Sequence, residues 1–202
     1  MSNAGDVWNN EKKEILSAIE EVLDSGWLIL GQKVKDFEND YSAYCDIKYG
    51  IGVGNGTDAI FLALKALGIG QGDEVITVSN TAIPTVSAII STGATPVFVD
   101  IHEDTYLMNT SQIEPVISNK TKCILPVHLF GQCVDMDEIQ RIATKHNLFI
   151  LEDCAQSHGA TYKGKKAGSM SEISTTSFYP TKIFWEIPWG AYTFIKIFLK
   201  NY

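Results

Sequence analysis

Leu148-Phe149-Ile150-Leu151-Glu152-Asp153 is a short apolar run closed by two carboxylates. Similar runs occur at Glu74–Ser79, Pro96–Asp100 and Lys122–Val127. Each has strand length and is rich in Val, Ile and Phe, as strands buried on both faces are. Helical spacing separates them, near Ile83–Ser91, Ser111–Ile117 and Asp135–His146. Upstream, Ile15, Ala18, Ile19, Val22 and Leu23 mark an amphipathic helix ending near Asp24-Ser25-Gly26, and Val34, Phe37, Tyr41 and Tyr44 mark a second. Tyr49–Val53 is a further short strand, followed by a helix with Ala59, Ile60, Ala63, Ala66 and Leu67 inward. Strands alternating with helices predict an α/β fold, a mainly parallel sheet with helices on both faces.

The bulk composition narrows the function. The 202 residues are 45% hydrophobic and 20% charged, enough for one sizeable domain. A net charge of −8 disfavours nucleic acid, because no basic field gathers phosphates. Arg141 is the single arginine, so anion recognition must rest on backbone N–H groups, hydroxyls or lysine. Cys45, Cys123, Cys133 and Cys154 form no C-x-x-C pair, and no zinc spacing with histidine predicts a metal site. No apolar signal or bilayer-length segment is visible, which makes a reducing cytoplasm the default expectation.

In parallel sheets ligands gather at the carboxyl ends of the strands. Several polar groups fall there: Gly54–Asp58, Ser79–Thr81, His128, and Asp153 with Gln156. Gly54-Asn55-Gly56-Thr57 lies between a strand and a helix, where glycines and free N–H groups suit an anion. A dinucleotide-binding turn competes weakly, since the third glycine is misplaced for G-x-G-x-x-G. Read alone, a structural turn is as good an explanation. Asp153 at a buried strand end should pair with a cation; a helix cap is the plain alternative. Gln156 suits a phenolic oxygen or a loop hydrogen bond. His128 suits a ring-packing or substrate-lining place, although a lone histidine there is more often structural. Lys182, closing Ser177-Phe178-Tyr179-Pro180-Thr181-Lys182, is an amine able to form an imine. Lysine, strand-end aspartate and phosphate cradle together suggest pyridoxal 5′-phosphate.

These segments resemble the DegT-type nucleotide-sugar aminotransferases, pyridoxal-phosphate enzymes of fold type I. The matching stretches include Ser25–Gly31, Gly54–Ala59, Gly72–Thr77, Gly93–Asp100, Val127–Gly131, Glu152–Gln156 and Ser177–Lys182, in the family's order. The resemblance implies that Lys182 carries the Schiff base and shuttles the proton. Asp153 would hold the pyridine nitrogen and Gln156 the phenolic oxygen. Gly56, Thr57 and the Asp58 N–H would cradle the phosphate, joined by Ser177. The reaction implied moves an amino group, usually from glutamate, to a keto-sugar on a nucleoside diphosphate, in a homodimer. Lys182 argues against the family's dehydratase branch, which has histidine there.

Two departures stand out. The family often carries an aromatic residue where this chain has Ala82, a position that would stack on the cofactor ring. After Lys182 the family's Asn-Leu-Gly and Gly-Asp-Gly-Gly do not follow; the chain reads Ile183-Phe184-Trp185-Glu186-Ile187-Pro188-Trp189-Gly190. Two of the four tryptophans lie in these last twenty residues, whose dense apolar run lacks a polar helix face. The expected division is a flexible 1–10, a cofactor-binding large domain over 11–182 lacking its small C-terminal partner, and an aberrant, out-of-frame tail over 183–202. A chain so built is expected to be inactive or weakly active. The alternative is a catalytically dead regulatory or scaffold protein on the same fold.

Overall fold

The computed structural model describes residues 4–179 and 193–197. Helix α1 (Ala4–Ser25) and helix α2 (Gln32–Tyr44) precede β1 (Ile51–Val53) and α3 (Gly56–Ala66). Then follow β2 (Glu74–Val78), α4 (Ile83–Ser91), β3 (Thr95–Val99), β4 (Thr121–Ile124), α5 (Met136–His146) and β5 (Phe149–Asp153). A small ribbon, β6 (Thr161–Tyr162) with β7 (Lys165–Lys166), leads to β8 (Ile173–Ser177) and β9 (Thr193–Ile197).

Seven strands form one sheet in the order β1-β9-β8-β5-β4-β2-β3. β2, β3, β4, β5 and β8 run parallel, and β9 is antiparallel to both β1 and β8. β1 therefore points the same way as the parallel strands. From β2 the chain steps to β3 on one side, whereas from β4 it steps to β5 on the other. Right-handed crossovers in opposite directions put α4 and α5 on opposite faces. The core between them includes the fully buried Leu64, Ile76, Ile89, Ile124, Ile139 and Leu151.

Four features depart from or add to what the sequence suggests. The stretch 4–10, within the expected flexible 1–10, opens α1. Ser111–Ile117 is not an α-helix but two 3₁₀ turns, Thr110–Gln112 and Glu114–Val116. Pro115 explains this: its ring would clash with the carbonyl of Ser111 in a continuous helix. β8, Ile-Ser-Thr-Thr-Ser, offers no apolar run to read, yet all five residues are buried. Its hydroxyls are matched internally, Ser174 Oγ to the Gly168 carbonyl at 2.9 Å and Thr176 Oγ1 to His158 Nε2 at 2.8 Å. Finally, Thr193–Ile197, inside the stretch 183–202 expected to be an aberrant, out-of-frame tail, forms β9 and fills the slot between β1 and β8. Thr-Phe-Ile-Lys-Ile is a strong strand sequence.

Candidate active site

The carboxyl ends of the parallel strands meet along one edge. Val53 and Ser177 both pair with Thr193, so the turn after β1 starts level with the end of β8. Asp153 pairs with Thr175 on β8 and with Val127 beyond β4. Strands about 4.8 Å apart place these groups within one small-molecule span.

After β1 the chain turns directly into the N-terminus of α3. Asn55 is the N-cap, and its side chain accepts from the Asp58 N–H at 2.9 Å while its amide donates to Asp58 Oδ2 at 2.7 Å. In this reciprocal cap the Asp58 N–H, expected to join a phosphate cradle, donates to Asn55. The N–H groups of Gly56 and Thr57, in the first two helical positions, have no intrahelical acceptor. They and the positive end of the helix remain the donors. Ser177 is buried at the end of β8, and its Oγ accepts from the Tyr179 N–H at 3.3 Å, leaving its proton to donate.

Asp153 is 5% exposed. Its Oδ1 accepts from the Ala155 N–H at 3.1 Å, and its Oδ2 from Thr85 Oγ1 at 3.0 Å. Its backbone is pinned on both sides, N–H to the Pro126 carbonyl and carbonyl to the His128 N–H, each at 3.0 Å. Gln156 is half-buried, and its carbonyl accepts from the Gly131 N–H at 2.9 Å. Ala82 is exposed and caps α4 without a side-chain bond. It stands three residues before Thr85, whose hydroxyl donates to Asp153. Of the expected site residues, Lys182 lies outside the described residues.

His128 meets this edge through its backbone, while its ring is buried. It is 0% exposed, its Nδ1 accepts from the Val134 N–H at 3.2 Å, and Nε2 lies 3.1 Å from Glu152 Oε2. With Nδ1 accepting, the ring proton sits on Nε2 and is donated to Glu152. Both ring nitrogens of the residue expected to pack on the cofactor or line the substrate entrance are thus engaged within the protein. Glu152 also receives Gly168 N–H at 2.8 Å, Met170 N–H at 3.0 Å and Ser171 Oγ at 2.6 Å. Burial pushes this carboxyl up, but the bonds from His128, Ser171 and Gly168 outweigh it and hold it below its ordinary value. Gly168 (φ +84°) is required in that loop, since a Cβ would lie 3.0 Å from Ser174 Oγ. His128, Glu152 and Cys154 bring potential ligand atoms within 4.8 Å, but the ring and carboxylate are already committed to protein partners.

A second cluster supports the segment leading to Lys182. Phe178 packs edge-on against Phe37 at 5.3 Å and Tyr41 at 5.0 Å, with His158 at 5.1 Å. Burial raises the Tyr41 phenol well above its usual value, so it stays protonated. Thr85, Glu152 and Asn55 were not singled out from the sequence. Asn55 was findable, as Asn-x-x-Asp at a helix start is a cap signature; Thr85 and Glu152 depend on tertiary partners.

Residues 9–191 match the model of the DegT/DnrJ/EryC1/StrS aminotransferase family. The chain belongs to this family. The dTDP-3-amino-3,4,6-trideoxy-alpha-D-glucose transaminase of Micromonospora megalomicea subsp. nigra is 50% identical over 185 residues, 92% of this chain and 48% of the relative. The dTDP-3-amino-3,6-dideoxy-alpha-D-galactopyranose transaminase of Aneurinibacillus thermoaerophilus is 51% identical over 83% of this chain and 46% of its own length. A pleiotropic regulatory protein of Geobacillus stearothermophilus is 46% identical over 90% of this chain and 49% of its own. S. venezuelae DesV, solved with a ketimine intermediate, superposes with a TM-score of 0.92 at 40% identity, over 96% of this chain and 52% of DesV. Bacillus subtilis NtdA with bound cofactor PMP gives 0.87 at 38% identity, over 94% and 42%. The chain thus spans about half the length of the curated relatives it matches. Its mainly parallel sheet is that of this aminotransferase family's solved members.

Proposed function

We propose that this chain is the cofactor-binding part of a pyridoxal-phosphate aminotransferase that moves an amino group from an amino acid, such as glutamate, to a nucleotide-linked keto-deoxysugar in the cytoplasm. The observation that carries the reading is Asp153, a buried carboxylate held at a strand end beside a helix N-terminus with free donors. That donor set fits the group. Gly56 and Thr57 N–H and the Ser177 hydroxyl suit a phosphate, and Asp153 suits a protonated ring nitrogen. Gln156 would face the phenolic oxygen, Ala82 would leave room over the ring, and Lys182 would hold the cofactor covalently. When bound, pyridoxal phosphate supplies the electron sink for the reaction.

The chain's own residues then have separable tasks. Asp153, buried and held by the Thr85 hydroxyl and the Ala155 N–H, would offer its carboxylate to the ring nitrogen. The α3 N-terminus and Ser177 fix the phosphate and with it the ring. Lys182 would move a proton at the substrate carbon. The relatives named as transaminases are about twice the length of the matched stretch, and a homodimer is the assembly this reading expects. On this reading the 202 residues alone turn over a keto-sugar nucleotide weakly or not at all.

A second reading, a regulatory or scaffold protein on the same fold, draws on the relative named as a regulatory protein. Borohydride reduction of the chain mixed with pyridoxal phosphate, followed by peptide mass spectrometry, separates the two. A pyridoxyl adduct on Lys182 supports the aminotransferase reading; none on Lys182, with the protein folded, favours the regulatory one.

A further inference from the structure

Thr85 lies one turn into α4, is 1% exposed, and donates to Asp153 Oδ2 at 3.0 Å. Its oxygen lies 2.7 Å from Thr81 Oγ1. The Thr85 proton goes to the carboxylate, so the Thr81 hydroxyl must donate to Thr85. The result is a directed chain from the loop after β2, through α4, to the carboxylate at the end of β5. Two hydroxyls in series polarise each other and strengthen the last bond. A bond to one named oxygen, opposite the Ala155 N–H on Oδ1, also restrains the rotation of the carboxylate. Neither α4 nor β8 carries a titratable side chain. Along β5, Glu152 is tied to His128 and Ser171 instead.

We propose that Thr85, backed by Thr81, is a positioning residue that sets the orientation and charge of Asp153, so that α4 reports on the cofactor's ring nitrogen through two hydroxyls. Its bearing on pyridoxal phosphate rests on the function proposed above; the relay to Asp153 does not.

The test has two arms. In the chain without added cofactor, carboxyl-carbon NMR follows the titration of Asp153. Thr85→Val raises its midpoint by about one pH unit, a tenfold change in proton affinity, while Thr85→Ser stays near wild type. In the second arm pyridoxal phosphate is titrated in. Thr85→Val weakens binding about tenfold, but by less than about twofold on an Asp153→Asn background. An unmoved midpoint in a folded Thr85→Val protein overturns the relay, and equal weakening in both backgrounds overturns action through Asp153. If no protein binds the cofactor yet the midpoint moves, the relay stands and the cofactor reading fails. Should Thr85→Val not fold, Thr81→Val removes only the outer hydroxyl; it should shift the midpoint the same way by about threefold in proton affinity, and no shift overturns the proposal.

Discussion

Glu152 and Asp153 are neighbours at the end of one strand, both carboxylates and both buried, yet they live in different surroundings. Glu152 accepts four hydrogen bonds, from His128, Gly168, Met170 and Ser171, and ties α5's approach and the loop before β8 to the sheet. Asp153 faces the other way and accepts from the Thr85 hydroxyl and the Ala155 N–H, at the edge where α3 and α4 begin. A strand turns alternate side chains to opposite faces, so one step in sequence separates scaffold from site. Burial alone does not distinguish them; the identity and origin of the donors does.

Substitutions should pull the pair apart. Asp153→Asn should weaken pyridoxal phosphate binding roughly 30-fold, since a charge-assisted bond is lost, with the urea unfolding midpoint nearly unchanged. Glu152→Gln should do the reverse, costing about 3 kcal/mol in urea unfolding because a buried network loses its charge, and leaving cofactor affinity within a few-fold in the folded protein. Equal effects of the two on both readouts would erase the distinction.

Acid titration sharpens it. The Glu152 carboxyl is held below its ordinary 4.5, so its contribution to stability is complete above that pH and lost as the pH falls through the lowered value. Stability measured by urea unfolding should therefore drop in wild type and in Asp153→Asn below pH 4.5, and Glu152→Gln should show a shallower drop. Gly168→Ala should cost about 1–2 kcal/mol, from a left-handed backbone and the crowded Ser174 hydroxyl. Asn55→Ala, on the site's side, should cost about 1 kcal/mol by removing the α3 cap, with a small rise in phosphate-dependent affinity if the freed Asp58 N–H turns to the ligand.

Much of this was legible in the sequence. Val-Ile-rich runs broken by helical spacing gave the parallel sheet, and the ligand edge followed from strand direction. The Gly-Asn-Gly-Thr turn, Asp153, Gln156 and Ser177 all fall on that edge. β8 was hidden because Ser-Thr-Thr-Ser is buried through hydroxyl bonds rather than apolar contact. β9 was hidden because the tail's apolar density masked a five-residue strand that only its neighbours define. His128 was read toward the site because it follows β4, whereas its ring points back to Glu152 and Val134. Thr85 could not be found without knowing that α4 crosses the end of β5.

The most direct test is a pyridoxal phosphate titration of wild type and Asp153→Asn, read by visible absorbance with circular dichroism confirming equal folding. Saturable binding by wild type that weakens roughly 30-fold in the variant is the predicted result. Equal affinity in the two folded proteins, or no binding by wild type, would contradict the assignment of Asp153 to the cofactor's ring nitrogen.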